Sequence, residues 1–293
     1  MEFRTPVTID KSPFTIAPCE RMLFVGSCFA DNIGSRFVDD KFRATVNPYG
    51  VMYNPASILH TVERYLAATT AEVARTAVFT LGTNRVYILN ETGEIVDNCQ
   101  KRPQRLFTER SLSVDECAEY ITKAINMLRE RRADVRIVLT VSPIRYAKYG
   151  FHGSAVSKAT LLLAAEQVAE QTEGCVYFPA YEIVCDELRD YRFYAPDMLH
   201  PSQQAVDYIW ERFADTFFSN ETKAFLSEWQ PIKAALNHRP FNPDSAEHRA
   251  FLEKTHQKLA ALKARYPEME ISKNELETLN TKRVIKTKAY EFS

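Results

Sequence analysis

Three short apolar runs, residues 23–26, 76–81 and 135–141, each lead towards a segment of helical period, and few folds satisfy that alternation. Runs this short, rich in β-branched and aromatic residues, read as strands covered on both faces, and strands separated by helices pair in parallel through right-handed crossovers. Residues 135–141 (Val-Arg-Ile-Val-Leu-Thr-Val) are the best central strand. Further strands are expected near 44–46 and 176–179, and a hairpin from 85–89 and 94–98 around Glu91-Thr92-Gly93. Helices are expected over 30–40, 56–68, 114–131, 157–173, 182–188 and 205–218, the third opened by Ser113 with Glu116 as a capping box. The expected core, residues 1–218, is an α/β, three-layer sandwich with a mainly parallel, flavodoxin-like sheet. Residues 219–293 form a helical extension expected to pack on it. There 245–266 carries a stripe of Phe251, Leu252, Thr255, Leu259 and Leu262, and 272–293 reads as a short helix or a frayed end.

At 293 residues and 45% hydrophobic, the chain is long enough to bury a substantial core. Its 37 Lys and Arg against 38 Asp and Glu leave a net charge of -1, so no overall field attracts nucleic acid or an anionic membrane surface. The N-terminus lacks a basic-then-apolar leader and no run reaches membrane-spanning length, so a cytoplasmic location is expected. The cysteines Cys19, Cys28, Cys99, Cys117, Cys175 and Cys185 show no C-x-x-C pair and read as reduced thiols.

The first strand stops at Gly26-Ser27, where a following helix N-terminus would stand behind the serine hydroxyl at the carboxyl edge of the sheet. Such a position suits a nucleophile, but taken alone it is more often a plain helix N-cap. Downstream, Asp197-Met198-Leu199-His200 lies in a short loop between Pro196 and Pro201. At this spacing the carboxylate can fold back to the Nδ1 side of the ring, fix its tautomer and support the imidazolium. Ser27, His200 and Asp197 therefore read as nucleophile, base and orienter. Gly82-x-Asn84 follows a strand and can supply a backbone N–H and a side-chain amide to an oxyanion, or simply form a turn; Gly50 offers an N–H or a turn in the same way. His60, His152, His238, His248 and His256 occur in helix or linker contexts with no comparable partner.

In this order, Gly26-Ser27, Gly50, Gly82-x-Asn84 and Asp197-x-x-His200 resemble the four blocks of the SGNH (GDSL-like) hydrolase superfamily. The pentapeptide Gly26-Ser27-Cys28-Phe29-Ala30 is similar to the segment that names one branch, the GSCFA family. The likeness continues through Asn47-Pro48-Tyr49-Gly50 and Thr140-Val141-Ser142-Pro143. It implies a serine esterase or acyl transferase whose oxyanion hole is the Ser27 N–H, the Gly50 N–H and the Asn84 amide. Block I lacks the usual aspartate before the serine.

The expectation is a serine hydrolase, free of metal and cofactor, that cleaves or transfers a small acyl group on a carbohydrate-like alcohol. Its partner would be a small-molecule or glycan ester, not nucleic acid or membrane. Arg85, Lys101 and Arg145 are candidate substrate-binding residues. Cys28 is an alternative nucleophile, near a helix N-terminus where a thiolate is favoured. From a different class, a non-catalytic glycan- or peptide-binding module would keep the same fold. No phosphate-binding glycine motif and no G-x-S-x-G elbow occurs.

Overall fold

Apolar positions in the first run place a strand buried from Met22 onward, β1 (Arg21–Gly26), ahead of α1 (Cys28–Asp39), β2 (Arg43–Val46), α2 (Pro55–Ala68) and β3 (Thr76–Leu81). An antiparallel excursion of β4 (Arg85–Leu89), β5 (Ile95–Val96) and β6 (Phe107–Ser111) precedes α3 (Val114–Arg131), β7 (Arg136–Val141), α4 (Gly150–Gln171) and β8 (Cys175–Tyr177). A short helix, α5 (Ala180–Glu182), runs into a π-helical turn at Ile183–Leu188, and α6 (Gln203–Phe217) follows. The structure is a computed structural model and describes residues 4–70, 72–242, 245–272 and 275, so the expectation for 272–293 lies outside the described residues except at Ser272 and Glu275.

Two compact units divide the chain. One is built from residues up to Thr15, Arg21–Arg36 and Ala44–Phe217, the other from Ile16–Glu20, Phe37–Arg43 and the segment from Phe218 onward.

The first unit carries a five-stranded sheet in the order β2-β1-β3-β7-β8. The pairs of β1, β3, β7 and β8 are parallel. Counting these strands alone, the order is the doubly wound 2-1-3-4-5, whose winding reverses between the first and third strands and opens a crevice beyond their carboxyl ends. Alternate residues of the strands take opposite faces. Leu23, Val25, Ala77, Phe79, Leu81, Ile137, Leu139 and Val141 join one core with α2, α3 and α4. On the other face, α1 lies so close that a Cβ at Gly34 would come within 3.2 Å of the Phe24 ring, and Phe178 packs on Phe213 of α6 with ring centroids 5.1 Å apart. The α/β sandwich and parallel sheet agree with the sequence reading.

The excursion differs from the expected hairpin because β6 adds a third strand, paired with β4 from Arg85↔Ser111 to Leu89↔Phe107. Its residues, Phe107-Thr108-Glu109-Arg110-Ser111, lack an apolar alternation, so only the partner strand reveals them. Helix α4 starts at Gly150, seven residues before the expected position, and the capping box at Ser113 and Glu116 is present.

In the second unit, α7 (Asn220–Asn237) runs through an internal proline, Pro231. Ser219 caps its first turn by accepting from Thr222 N. An internal proline costs about 3 kcal/mol or more, which is offset here by burial of Phe225, Trp229 and Ile232. The α8 helix (Ala246–Arg265) buries Leu252, Thr255, Leu259 and Leu262 of the expected stripe but leaves Phe251 exposed. Among the described residues no helix is long and apolar enough to cross a membrane.

Candidate active site

Parallel register brings the ends of three strands to one edge. Gly26 pairs with Thr80, and Thr80 with Thr140, so Ser27, the turn at Gly82 and Ser142 leave the sheet side by side. At Gly26 the backbone has φ +147°, and a Cβ there would stand 2.2 Å from the Thr80 carbonyl oxygen, so glycine alone fits. The next residue, Ser27, donates its backbone N–H to Thr80 O (3.1 Å) and Thr80 Oγ1 (2.9 Å). Its hydroxyl donates to Ser142 Oγ (2.9 Å) and lies 3.2 Å from Thr80 Oγ1, while accepting from Phe29 N (3.2 Å) in the first turn of α1. Ser27 is 0% exposed.

The loop between Pro196 and Pro201 is organised by Asp197. Its Oδ1 accepts from the backbone N–H groups of Leu199 (2.9 Å) and His200 (3.0 Å), and its Oδ2 stands 2.6 Å from His200 Nδ1. The two backbone N–H groups, the His200 one foremost, together with the His200 ring, hold the Asp197 carboxyl down at about 2. Among the described residues, Nε2 of His200 has no hydrogen-bond partner. Arg145, three residues past Ser142, ties this loop to the end of β7: its N–H donates to Leu199 O (3.0 Å) and its Nη1 to Met198 O (3.1 Å). Ser27 and His200 thus belong to the same unit and to connected loops, though they are not hydrogen-bonded to each other.

All three expected oxyanion donors give hydrogen bonds within the fold, the Ser27 N–H to Thr80 as above. The Gly50 N–H closes a tight turn on Asn47 O (2.9 Å), and the Asn84 amide donates to Leu112 O (2.7 Å), while Asn84 N donates to Ser157 Oγ (2.9 Å). Each of these groups has an acceptor within the fold, and at buried Asn84 a donor left without one would be costly. Gly50 instead lines a 540 Å³ cleft with His60, Arg64 and Asp97. His60 does have a partner, contrary to expectation: its Nδ1 lies 2.8 Å from Asp97 Oδ1, a bond that raises its pKa. Of the candidate substrate-binding residues, Arg145 joins the His200 loop with its guanidinium 4.0 Å from the Phe151 ring. Arg85 lies over Tyr149 (4.8 Å), and Lys101 sits exposed in the β5–β6 connection. Cys28 has its Sγ 3.8 Å from Tyr53 OH. The cysteines are free thiols, and among the described residues no cluster of three or more His, Cys, Asp and Glu side chains is placed to hold a metal ion.

Four residues at this edge were given no role from the sequence. Asn47 takes the Gly26 N–H on its side-chain carbonyl (2.9 Å) and gives its amide to Asp31 (2.7 Å), fixing the turn before Ser27. Thr80 and Ser142 are polar residues at the ends of apolar strands, which is a usable signal. Lys158 is the fourth. It occupies the buried stripe of α4 with Ser154, Ser157, Leu161, Ala164, Ala165 and Val168, and donates to Gly82 O and Ser142 O, both at 2.7 Å. A lysine on an apolar helical stripe was the available clue.

Comparison with known proteins adds the following. The family model described as GSCFA family matches residues 21–76 and 65–213, and that of the GSCFA domain protein, C-terminal domain, matches residues 229–282. No curated protein matches the chain. Among solved structures, a mutant acetyl esterase with acetate ion has TM-score 0.42 at 10% identity, covering 72% of this chain and 99% of that one. AlinE4, an SGNH-hydrolase family esterase, has TM-score 0.39 at 14% identity, covering 69% and 96%. A carbohydrate esterase family 3 from Talaromyces cellulolyticus has TM-score 0.39 at 12% identity, covering 67% and 95%.

Proposed function

The chain belongs to the GSCFA family, and from that premise we propose that it is an SGNH-type serine hydrolase acting on small acyl esters. What supports this most is the Asp197–His200 pair: Oδ2 at 2.6 Å from Nδ1 fixes the neutral tautomer and leaves Nε2 as the basic nitrogen. Ser27 Oγ turns from Ser142, gives its proton to His200 Nε2 and attacks the ester carbonyl carbon. Collapse of the tetrahedral adduct breaks the bond to the alcohol, which takes the proton from His200, and leaves acyl-Ser27. Water, or an acceptor alcohol, then attacks the acyl carbon as its proton passes to His200; collapse breaks the bond to Ser27 Oγ, which takes the proton back from His200, and the acid or new ester leaves. The N-terminus of α1 behind Ser27 favours the developing negative charge. Gly50 and Asn84 are not part of this scheme. The alcohol is read as carbohydrate-like, because Arg145 with the Phe151 and Tyr194 rings presents a polar and aromatic surface on the His200 loop.

A second reading, the non-catalytic binding module, is favoured by one observation: Ser27 has no exposed surface. Turnover of p-nitrophenyl acetate and butyrate, with fluorophosphonate labelling and peptide mapping, separates the two. The hydrolase labels on Ser27 and loses turnover in Ser27→Ala and His200→Ala. A folded protein with neither label nor turnover is the binding module.

A further inference from the structure

Lys158 is an amine sealed in the first unit, 2% exposed, with no carboxylate among its hydrogen-bond partners. Burying a cation without a counter-ion is unfavourable unless its hydrogens are well used. Two of them are spent on the carbonyls that end β3 and β7, Gly82 O and Ser142 O, each at 2.7 Å. The ammonium also lies 5.6 Å from the ring centroid of Tyr146, which favours the charged form. Its link to the candidate nucleophile is short: Lys158 holds the Ser142 carbonyl, and Ser142 Oγ accepts the Ser27 hydroxyl at 2.9 Å.

On the reading of Ser27 as nucleophile, we propose that Lys158 is its positioning residue, clamping the ends of β3 and β7 so that Ser142 stays within reach of Ser27 while its positive charge favours the loss of the Ser27 proton. The groups facing it are Cys185, from the π-helical turn, and Tyr146, from the loop after β7. The buried neighbours on its own helix, Ser154, Ser157 and Leu161, carry no charge. Burial pushes the amine down to about 7, with Cys185 opposing. The cation therefore prevails below that value and is lost above it, so the Lys158 contribution to Ser27 reactivity is present on the acid side of its titration.

The test is p-nitrophenyl acetate turnover and the rate of fluorophosphonate labelling at Ser27, from pH 5 to 10, for the wild type, Lys158→Gln and Lys158→Met. Lys158→Gln keeps two N–H donors for the two carbonyls without the charge, and so serves if the methionine variant fails to fold. Expected is a falling limb near pH 7 in the wild type that both variants lack. At pH 6 kcat should drop by about 10–100-fold with KM little changed, the scale of a charged hydrogen bond. A wild-type profile and rate in Lys158→Gln overturns the role of the charge. Ser27→Ala separates this failure from that of the underlying reading: if it retains turnover, or if the folded wild type neither labels nor turns over, the nucleophile assignment falls and the Lys158 role falls with it.

Discussion

Ser27 Oγ donates to Ser142 Oγ at 2.9 Å, so the proton a general base would take is held by a second serine at the end of the neighbouring-but-one strand. Ser27 is buried, so on the proposed reading chemistry would begin with rotation about its side chain. Once Ser27 has lost its proton, the Ser142 hydroxyl can turn and donate to it. Ser142→Ala should therefore lower kcat by about tenfold, the worth of one hydrogen bond of about 1 kcal/mol or slightly more. Steady-state kinetics on p-nitrophenyl acetate reads this; an unchanged kcat would limit Ser142 to packing.

Asp197→Asn should cost far more. An amide in place of Oδ2 turns a donor towards Nδ1 and selects the wrong imidazole tautomer, a change that costs about 10⁴-fold in a comparable triad. The acid side of the profile gives a second check. The folded Asp197 carboxyl is depressed to about 2, so whatever it contributes to loop stability is present above the ordinary carboxylate value and is lost only as pH falls through about 2. Loss of activity between pH 4 and 6 would then have another cause, and Asp197 followed by NMR titration shows whether it stays ionised there.

Asn84→Ala distinguishes a structural amide from an oxyanion donor. With its amide on Leu112 O and its N–H on Ser157 Oγ, Asn84 should lose stability, by about 1–3 kcal/mol in urea unfolding, and keep kcat within about threefold. An oxyanion donor would instead cost about 10²–10³ in kcat.

Lys158→Met should alter the pH dependence of stability. The folded amine titrates at about 7 against the ordinary 10.5, so the unfolded chain binds the extra proton between these values and stability rises with pH across that window. Relative to Lys158→Met, the wild-type urea midpoint should rise from pH 6 to pH 9.5. A constant difference would mean that the folded amine stays charged.

Gly26→Ala should fail on sterics alone. With a Cβ 2.2 Å from Thr80 O, the turn that presents Ser27 cannot form as it stands, and a loss of about 3 kcal/mol or more is expected. Full stability in chemical denaturation would show that the turn can relax.

The β-α alternation, the capping box at Ser113 and the Asp197–His200 pairing were legible from residues a few positions apart, because periodicity, caps and proline-bounded loops are local physics. Strand β6 and helix α7 were not, since a charged strand is defined by its partner β4, and an internal Pro231 is tolerated only when Phe225, Trp229 and Ile232 are buried. The candidate site divides along the same line. Its residue types and their order were evident in the chain, and so was the sheet edge they would occupy. Which donors were already committed was not: Gly50 to Asn47, Asn84 to Leu112 and Ser27 to Thr80 and Ser142. Those commitments join residues up to 115 positions apart, and they follow from strand register and from the cost of leaving a buried polar group unpaired, which only the packed chain can apportion.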